Sequence, residues 1–154
     1  MALRVRLTLT LLAALAVGLV FGAAPAARTE AFDGKVLPLA DVLDKAGVKL
    51  DRDAAPHWLA LVTDDGKIYP LIVDDGSRRF FKDKALLNRK MRLTGRLVPG
   101  TNFLQVLGVN SWVNGELHDT YYWCEICAIR RNEKLRQCDC CGGQLELRET
   151  PVKK

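Results

Sequence analysis

Serine and histidine are almost missing from this chain: Ser77, Ser111, His57 and His118 are all that 154 residues contain. Neither serine stands in the Gly-x-Ser-x-Gly elbow that exposes a hydrolase nucleophile. His57 precedes a β-prone run and reads as a surface residue. His118 lies six residues before the first cysteine and could replace a cysteine as a metal ligand, a role that a full set of four cysteines leaves without need. No glycine-rich phosphate loop is present, and no EF-hand spacing follows Asp64-Asp65 or Asp74-Asp75. Asp-Asp-Gly is turn chemistry first, so these pairs are set aside as acid–base or calcium sites. Neither Cys-x-x-Cys is followed by histidine, since residues 128 and 142 are Ala and Gly, which excludes c-type haem attachment. These absences leave the chain with no catalytic residue to name, and it reads as a non-enzymatic protein.

Cysteine is absent from the first 123 residues and then crowded, with all five cysteines lying between positions 124 and 141. Two Cys-x-x-Cys pairs, Cys124/Cys127 and Cys138/Cys141, are separated by ten residues, and Cys140 is left over. Each pair can form a tight turn that aims two sulfurs at one point, and two such turns make a tetrahedral metal site. Four thiolates suit zinc, with iron as the second choice. Around Zn²⁺ they carry a formal 2− charge, which Arg130, Arg131, Lys134 and Arg136 in the intervening loop are placed to offset. The competing readings are disulfides and redox exchange. An odd count argues against a disulfide framework, and a cystine within Cys-x-x-Cys closes a short, labile loop. Cys140 sits between Asp139 and Cys141, so its side chain should diverge from an ion held by its neighbours. It reads as a small buried filler or a spare thiol.

The N-terminus carries Arg4 and Arg6, then the apolar run 7–24, then the small-residue stretch Ala-Ala-Pro-Ala-Ala. That order describes a secretory signal peptide over residues 1–26, cut after Ala26. The alternative is an uncleaved anchor formed by residues 7–24. Either way the remainder is exported, periplasmic or secreted. No cysteine lies near the cut, which sets aside a lipoprotein. Removal of residues 1–26 leaves 21 Lys+Arg against 18 Asp+Glu, a net charge of +3 and too mild for a polyanion binder as a whole.

Between the leader and the cysteines the patterning predicts a small mainly β (α+β) domain. Residues 27–34 read as a flexible lead-in. Leu39, Val42, Leu43 and Ala46 at i, i+3, i+4 and i+7, with Gly47 after them, predict a short helix. Apolar runs 57–63 and 67–73 flank Asp64-Asp65-Gly66, a hairpin signal, and Pro70 marks the second run as an edge strand or a bulge. Residues 78–90 predict a short helix with Phe81, Ala85 and Leu86 on one side. Strands follow at 91–97 and 103–113, then a turn opened by Asn114-Gly115, a β-prone 120–123, and a last alternating run at 144–149. Strand, strand, helix, strand, strand is the element order of an OB-fold. The expectation is therefore an OB-like antiparallel barrel over residues 35–115, its first strand near 34–38 and Phe81 and Leu86 plugging one end. A four-cysteine module over 116–150 and a tail, 151–154, complete the chain. Arg78, Arg79, Lys82, Lys84 and Arg89 form a basic run. In an exported protein it faces an envelope protein or an anionic surface polymer rather than nucleic acid.

The cysteine module resembles rubredoxin-type knuckles and zinc ribbons, in which a glycine after the second cysteine turns backbone N–H groups toward the sulfurs. Gly142 matches that pattern and Ala128 departs from it. Residues 121–149 also resemble the ending of uncharacterised exported bacterial proteins with an OB-like domain, in the pattern YYWCxICAI…CxCCG…ELRE, a resemblance that implies no activity. Together these readings describe an exported binding or structural protein of the bacterial envelope with a structural zinc site. The alternative is an exported redox protein that uses the same cysteines, through iron–thiolate or disulfide exchange.

Overall fold

A computed structural model describes residues 28–51, 53, 55 and 57–153. The leader expected over residues 1–26 lies outside the described residues. No helix among the described residues is long and apolar enough to cross a membrane.

Among the described residues eight strands and two short helices form: β1 (Glu30–Pro38), α1 (Leu39–Lys45), β2 (Leu59–Thr63), β3 (Ile68–Pro70), α2 (Arg78–Lys82), β4 (Lys90–Leu97), β5 (Leu104–Val113), β6 (Glu116–Cys124), β7 (Ile129–Arg131) and β8 (Glu146–Pro151). The strands are antiparallel neighbours in the order β3-β2-β1-β4-β5-β6-β7, with β8 on the far part of β6. Period-two alternation sends Phe32 and Val36 of β1, Met91 and Leu93 of β4, and Leu104 and Val106 of β5 into one core. In β5 that parity shifts. Thr94 faces Gly108 and Gly95 faces Val106, so Leu107 is the extra residue of a bulge, and beyond it Val109 and Ser111 are the buried positions.

Both predicted hairpins are present: β2 pairs with β3, and β4 with β5. Pro70 ends β3 at the edge of the sheet, as its missing N–H requires. The closed OB-like barrel expected from the element order is not formed. The ladder is an open path, and the tie between its β3 end and β5 is one parallel bridge, Leu71 to Leu104, with the Ile72 N–H donating to the Leu104 carbonyl at 3.0 Å. Two features oppose closure: β3 has only three residues, and β6 occupies the second edge of β5 over Asn110–Val113.

The chain is also divided differently from the expectation. The segment read as lead-in is strand from Glu30 onward, paired with β4. β6 runs unbroken from its pairing with β5 at Glu116 to Cys124, so the cysteine segment grows out of the main sheet.

The 78–90 segment is two pieces rather than one helix. α2 stops at Lys82, Asp83 is extended, and a 3-10 turn, Lys84–Leu86, restarts with the Asp83 carboxylate accepting the Ala85 N–H at 3.1 Å. The break changes the helical phase. Phe80 and Leu86 are therefore the buried residues, while Phe81 is half-buried and Ala85 exposed.

Candidate metal centre

β6 delivers Cys124 as its last residue, and β7 returns directly, with Cys124 opposite Ile129. The four residues between them make the first turn, and Ala128 holds φ at +51° to close it. The second turn spans Cys138 to Gly143. Its Cys138 N–H donates to the Gly143 carbonyl at 2.7 Å and its Gly142 N–H to the Cys138 carbonyl at 2.8 Å, with Gly142 at φ +74°. Both turns thus use the left-handed backbone that a glycine supplies without strain, and the first obtains it from an alanine.

These turns bring the sulfurs of Cys124, Cys127, Cys138 and Cys141 to within 4.8 Å of one another, with Cys124 and Cys141 Sγ at 3.5 Å. A zinc tetrathiolate with bonds of ~2.3 Å has sulfur–sulfur edges of about 3.8 Å, so the cluster has the dimensions of a metal cage. Backbone N–H groups add to the fit. That of Gly143 donates to Cys141 Sγ at 3.4 Å, and those of Cys140 and Cys141 favour the ionised Cys138 sulfur. The latter pair brings the Cys138 thiol down to about 7. Cys127 is pushed the other way by the neighbouring thiols of Cys140 and Cys141. Crowded sulfurs oppose one another's ionisation, and a divalent cation among them removes that opposition.

The centre has two sides. Cys124 and Cys138 are buried at 0% and 3% exposure, Cys127 is half-buried, and Cys141 is exposed. Cys140 lies outside the group of four, and it is exposed rather than a buried filler.

The loop cations do less for the sulfurs than their number suggests. Arg130 pairs with Asp119 and lies 3.8 Å over the Tyr121 ring. Lys134 pairs with Asp83 at 3.3 Å. Arg131 pairs with Asp139 at 2.7 Å, and its charge also faces the Cys138 and Cys140 sulfurs.

Much of the basic run is occupied in fastening the cysteine segment to the rest of the molecule. Arg78 and Lys82 both pair with Glu133, and Arg89 pairs with Glu149. Arg79 is buried and donates through Nη1 to the Thr120 carbonyl of β6 at 2.6 Å. Lys84 is exposed. At the centre of this junction the buried Tyr122 hydroxyl donates to the Asp83 carboxylate at 2.8 Å. Burial pushes that carboxyl up, but Tyr122, the Ala85 N–H and Lys134 outweigh it and hold the group below its ordinary value. In the sequence Tyr122 is only one residue of the β-prone run 120–123. The junction itself, Asp83, Arg79 and Thr120, carried no local signal, because its partners are 39 and 41 residues apart.

The remaining candidates take bland roles. His118 sits on β6 opposite Ser111 and is not among the clustered ligands. His57 borders an apolar groove with Trp58, Val73 and Phe103. Buried Ser77 donates to the Ile72 carbonyl, and buried Ser111 accepts from Thr120 Oγ1 at 3.0 Å. Asp74 accepts from the N–H groups of Gly76 and Ser77, and Asp65 pairs with Lys67, both as turn residues.

No family model, no curated protein and no solved structure matches the chain. With the barrel also open, the resemblance to exported bacterial proteins of OB-like fold is withdrawn. The four-cysteine geometry stands on the coordinates alone.

Proposed function

We propose that this protein is a small, exported, non-enzymatic binding or assembly protein whose C-terminal cysteines hold a structural zinc ion. The observation that carries the proposal is the convergence of four cysteine sulfurs within 4.8 Å, one of them accepting the Gly143 N–H at 3.4 Å. Zinc suits a closed four-thiolate cage in which no position is left open for a substrate. When bound it supplies cross-linking of two turns and nothing catalytic. The segment from Cys124 to Gly143 contributes only Cys124 and Cys138 to the buried apolar residues, so the energy of metal binding is largely the energy of folding this segment.

A binding role fits the polar interior. Ser77, Asp83, Ser111 and Thr120 are buried and hydrogen-bonded within the protein, and buried Arg79 donates through Nη1 to the Thr120 carbonyl while its Nε–H has no partner. Export rests on Arg4, Arg6, the apolar run 7–24 and the small residues after it. The partner on this reading is an envelope protein or an anionic surface polymer. Arg78, Arg79, Lys82 and Arg89 are engaged internally and are poor candidates for that contact.

The test is elemental analysis and an absorption spectrum of the purified chain, with fractionation and the N-terminal mass of the protein recovered from its host. One colourless zinc per chain in the exported fraction, beginning near Arg28 or Ala27, is the expected result. A coloured iron–thiolate spectrum would replace zinc with the redox reading. Intact protein in the cytoplasm would overturn export.

A further inference from the structure

The loop that joins the two cysteine turns is placed by its ends and by charge, not by packing. Residues 132–137 are all described, and none of them is buried or lies in a strand or helix. Glu133 stands in that loop, six residues after Cys127 and five before Cys138. Its carboxylate pairs with two cations of α2, with Arg78 Nη1 at 3.4 Å and with Lys82 Nζ. Arg78 and Lys82 are four residues apart on one face of that helix, and their side chains are 45% and 43% exposed. Lys84 adds an exposed cation two residues on. Exposed ion pairs contribute too little to order a loop by themselves. With Cys127 and Cys138 tied to one ion, the loop is closed at both ends, and Glu133 is kept at high local concentration over the two cations.

We infer that Arg78, Lys82 and Lys84 form an anion-binding surface that the metal centre keeps closed, and that loss of the ion frees the loop and opens this surface to an anionic polysaccharide. This rests on the reading of the four cysteines as a metal site, and it gives the basic run a role that its internal pairing denies it in the metal-bound fold. Glu133 shows the ligand chemistry: an oxyanion group placed between Arg78 and Lys82, which a carboxylate or sulfate of a polymer can replace. Arg78 keeps Asp75 at 2.6 Å when Glu133 leaves, so Lys82 is the cation that gains most. Release of the loop also takes Lys134 from Asp83, but Asp83 is 5% exposed and keeps the Tyr122 hydroxyl, so it offers the polymer little opposing charge. Single-stranded nucleic acid is the poorer fit, because a base needs an aromatic face to stack on. Phe80 is buried here and Phe81 half-buried.

The experiment measures binding of fluorescently labelled dextran sulfate by anisotropy, at one fixed salt concentration. The full chain is used zinc-loaded and after treatment with a chelator, beside Glu133→Gln, Lys82→Gln and Glu116→Gln. Glu116 is an exposed acid at the far end of β6 from the cysteines, so its variant makes the same change in net charge. Zinc content is read first, and a native chain that binds no metal overturns the metal reading itself. The expected result is about fivefold tighter binding by zinc-loaded Glu133→Gln than by the native protein, the size of one or two exposed charge contacts, with Glu116→Gln near native. Chelation should tighten binding by the native chain at least as much, and Lys82→Gln should remove most of that gain. Equal binding by Glu133→Gln and Glu116→Gln overturns the inference. So does a gain on chelation that Lys82→Gln leaves intact, since the cations of the freed loop would then be responsible. Zinc lost from Glu133→Gln would make Glu133 a support of the metal site instead and also overturns it. Tighter binding of a single-stranded oligonucleotide than of dextran sulfate by the chelated chain would overturn the choice of polysaccharide.

Discussion

Replacing Tyr122 by phenylalanine removes one oxygen from the junction between the sheet and the metal centre. Tyr122 is 1% exposed and Asp83 5%, and the bond between them is 2.8 Å long. A hydroxyl donating to a buried carboxylate contributes about 1.5–3 kcal/mol, and its loss leaves the acceptor short of one partner. Asp83 keeps the Ala85 N–H at 3.1 Å and Lys134 at 3.3 Å, so the carboxylate is weakened rather than stranded. The expected cost is therefore near the middle of that range, about 2 kcal/mol, which for a folded unit of this size lowers Tm by about 8 °C. The assay is urea unfolding of the zinc-loaded proteins, followed by tryptophan fluorescence. The pH dependence has a definite sign. Asp83 is held below its ordinary 3.8, so its contribution is present above that value and is lost as pH falls through the lower folded one. The gap between native protein and Tyr122→Phe should be constant from pH 7 to pH 5 and narrow only below about 4. A gap under about 0.5 kcal/mol at pH 7 would refute the junction as a source of stability, because a buried charged-acceptor bond cannot be that weak. Narrowing already between pH 7 and 5 would show that another group is titrating.

Three further outcomes follow from the geometry. Ala128 holds φ +51°, so Ala128→Gly should stabilise the zinc-loaded protein by about 0.5–1 kcal/mol, the relief of left-handed strain less glycine's greater unfolded freedom, read as a rise in the urea midpoint. A Cβ added at Gly76 would lie 1.8 Å from the Val106 carbonyl oxygen; Gly76→Ala should destabilise by about 3 kcal/mol or prevent folding, checked by thermal unfolding. Cys141→Ser should lose zinc by mass spectrometry and lose the protection of β8 amides from hydrogen exchange, since β8 follows the second turn directly. Retained zinc in that variant would remove Cys141 from the ligand set.

Local chemistry alone determined the short helix before Gly47, the two hairpins, the edge position of Pro70 and the pairing of Cys124/Cys127 with Cys138/Cys141. Each depends on residues within eighteen positions of one another: a turn dipeptide, a period of two, or two Cys-x-x-Cys turns a short loop apart. The break at Asp83 is short in sequence, but its carboxylate also holds Tyr122, 39 residues on, which periodicity does not register. Periodicity put Phe81 and Ala85 on the buried side, and the extended residue between α2 and the 3-10 turn buried Phe80 instead. The barrel was wrong for a different reason. Element order states which strands follow one another, but closure depends on whether two distant edges meet, and β6 had already taken part of the edge of β5. The basic run shows the same limit. Five cations in twelve residues read as an outward stripe, yet Glu133 and Glu149 lie across the fold to receive three of them, and a carbonyl of β6 receives Arg79. Spacing within a turn is set by the covalent chain, whereas the facing of two edges, or of a cation and its acid, is set only when the whole sheet has assembled.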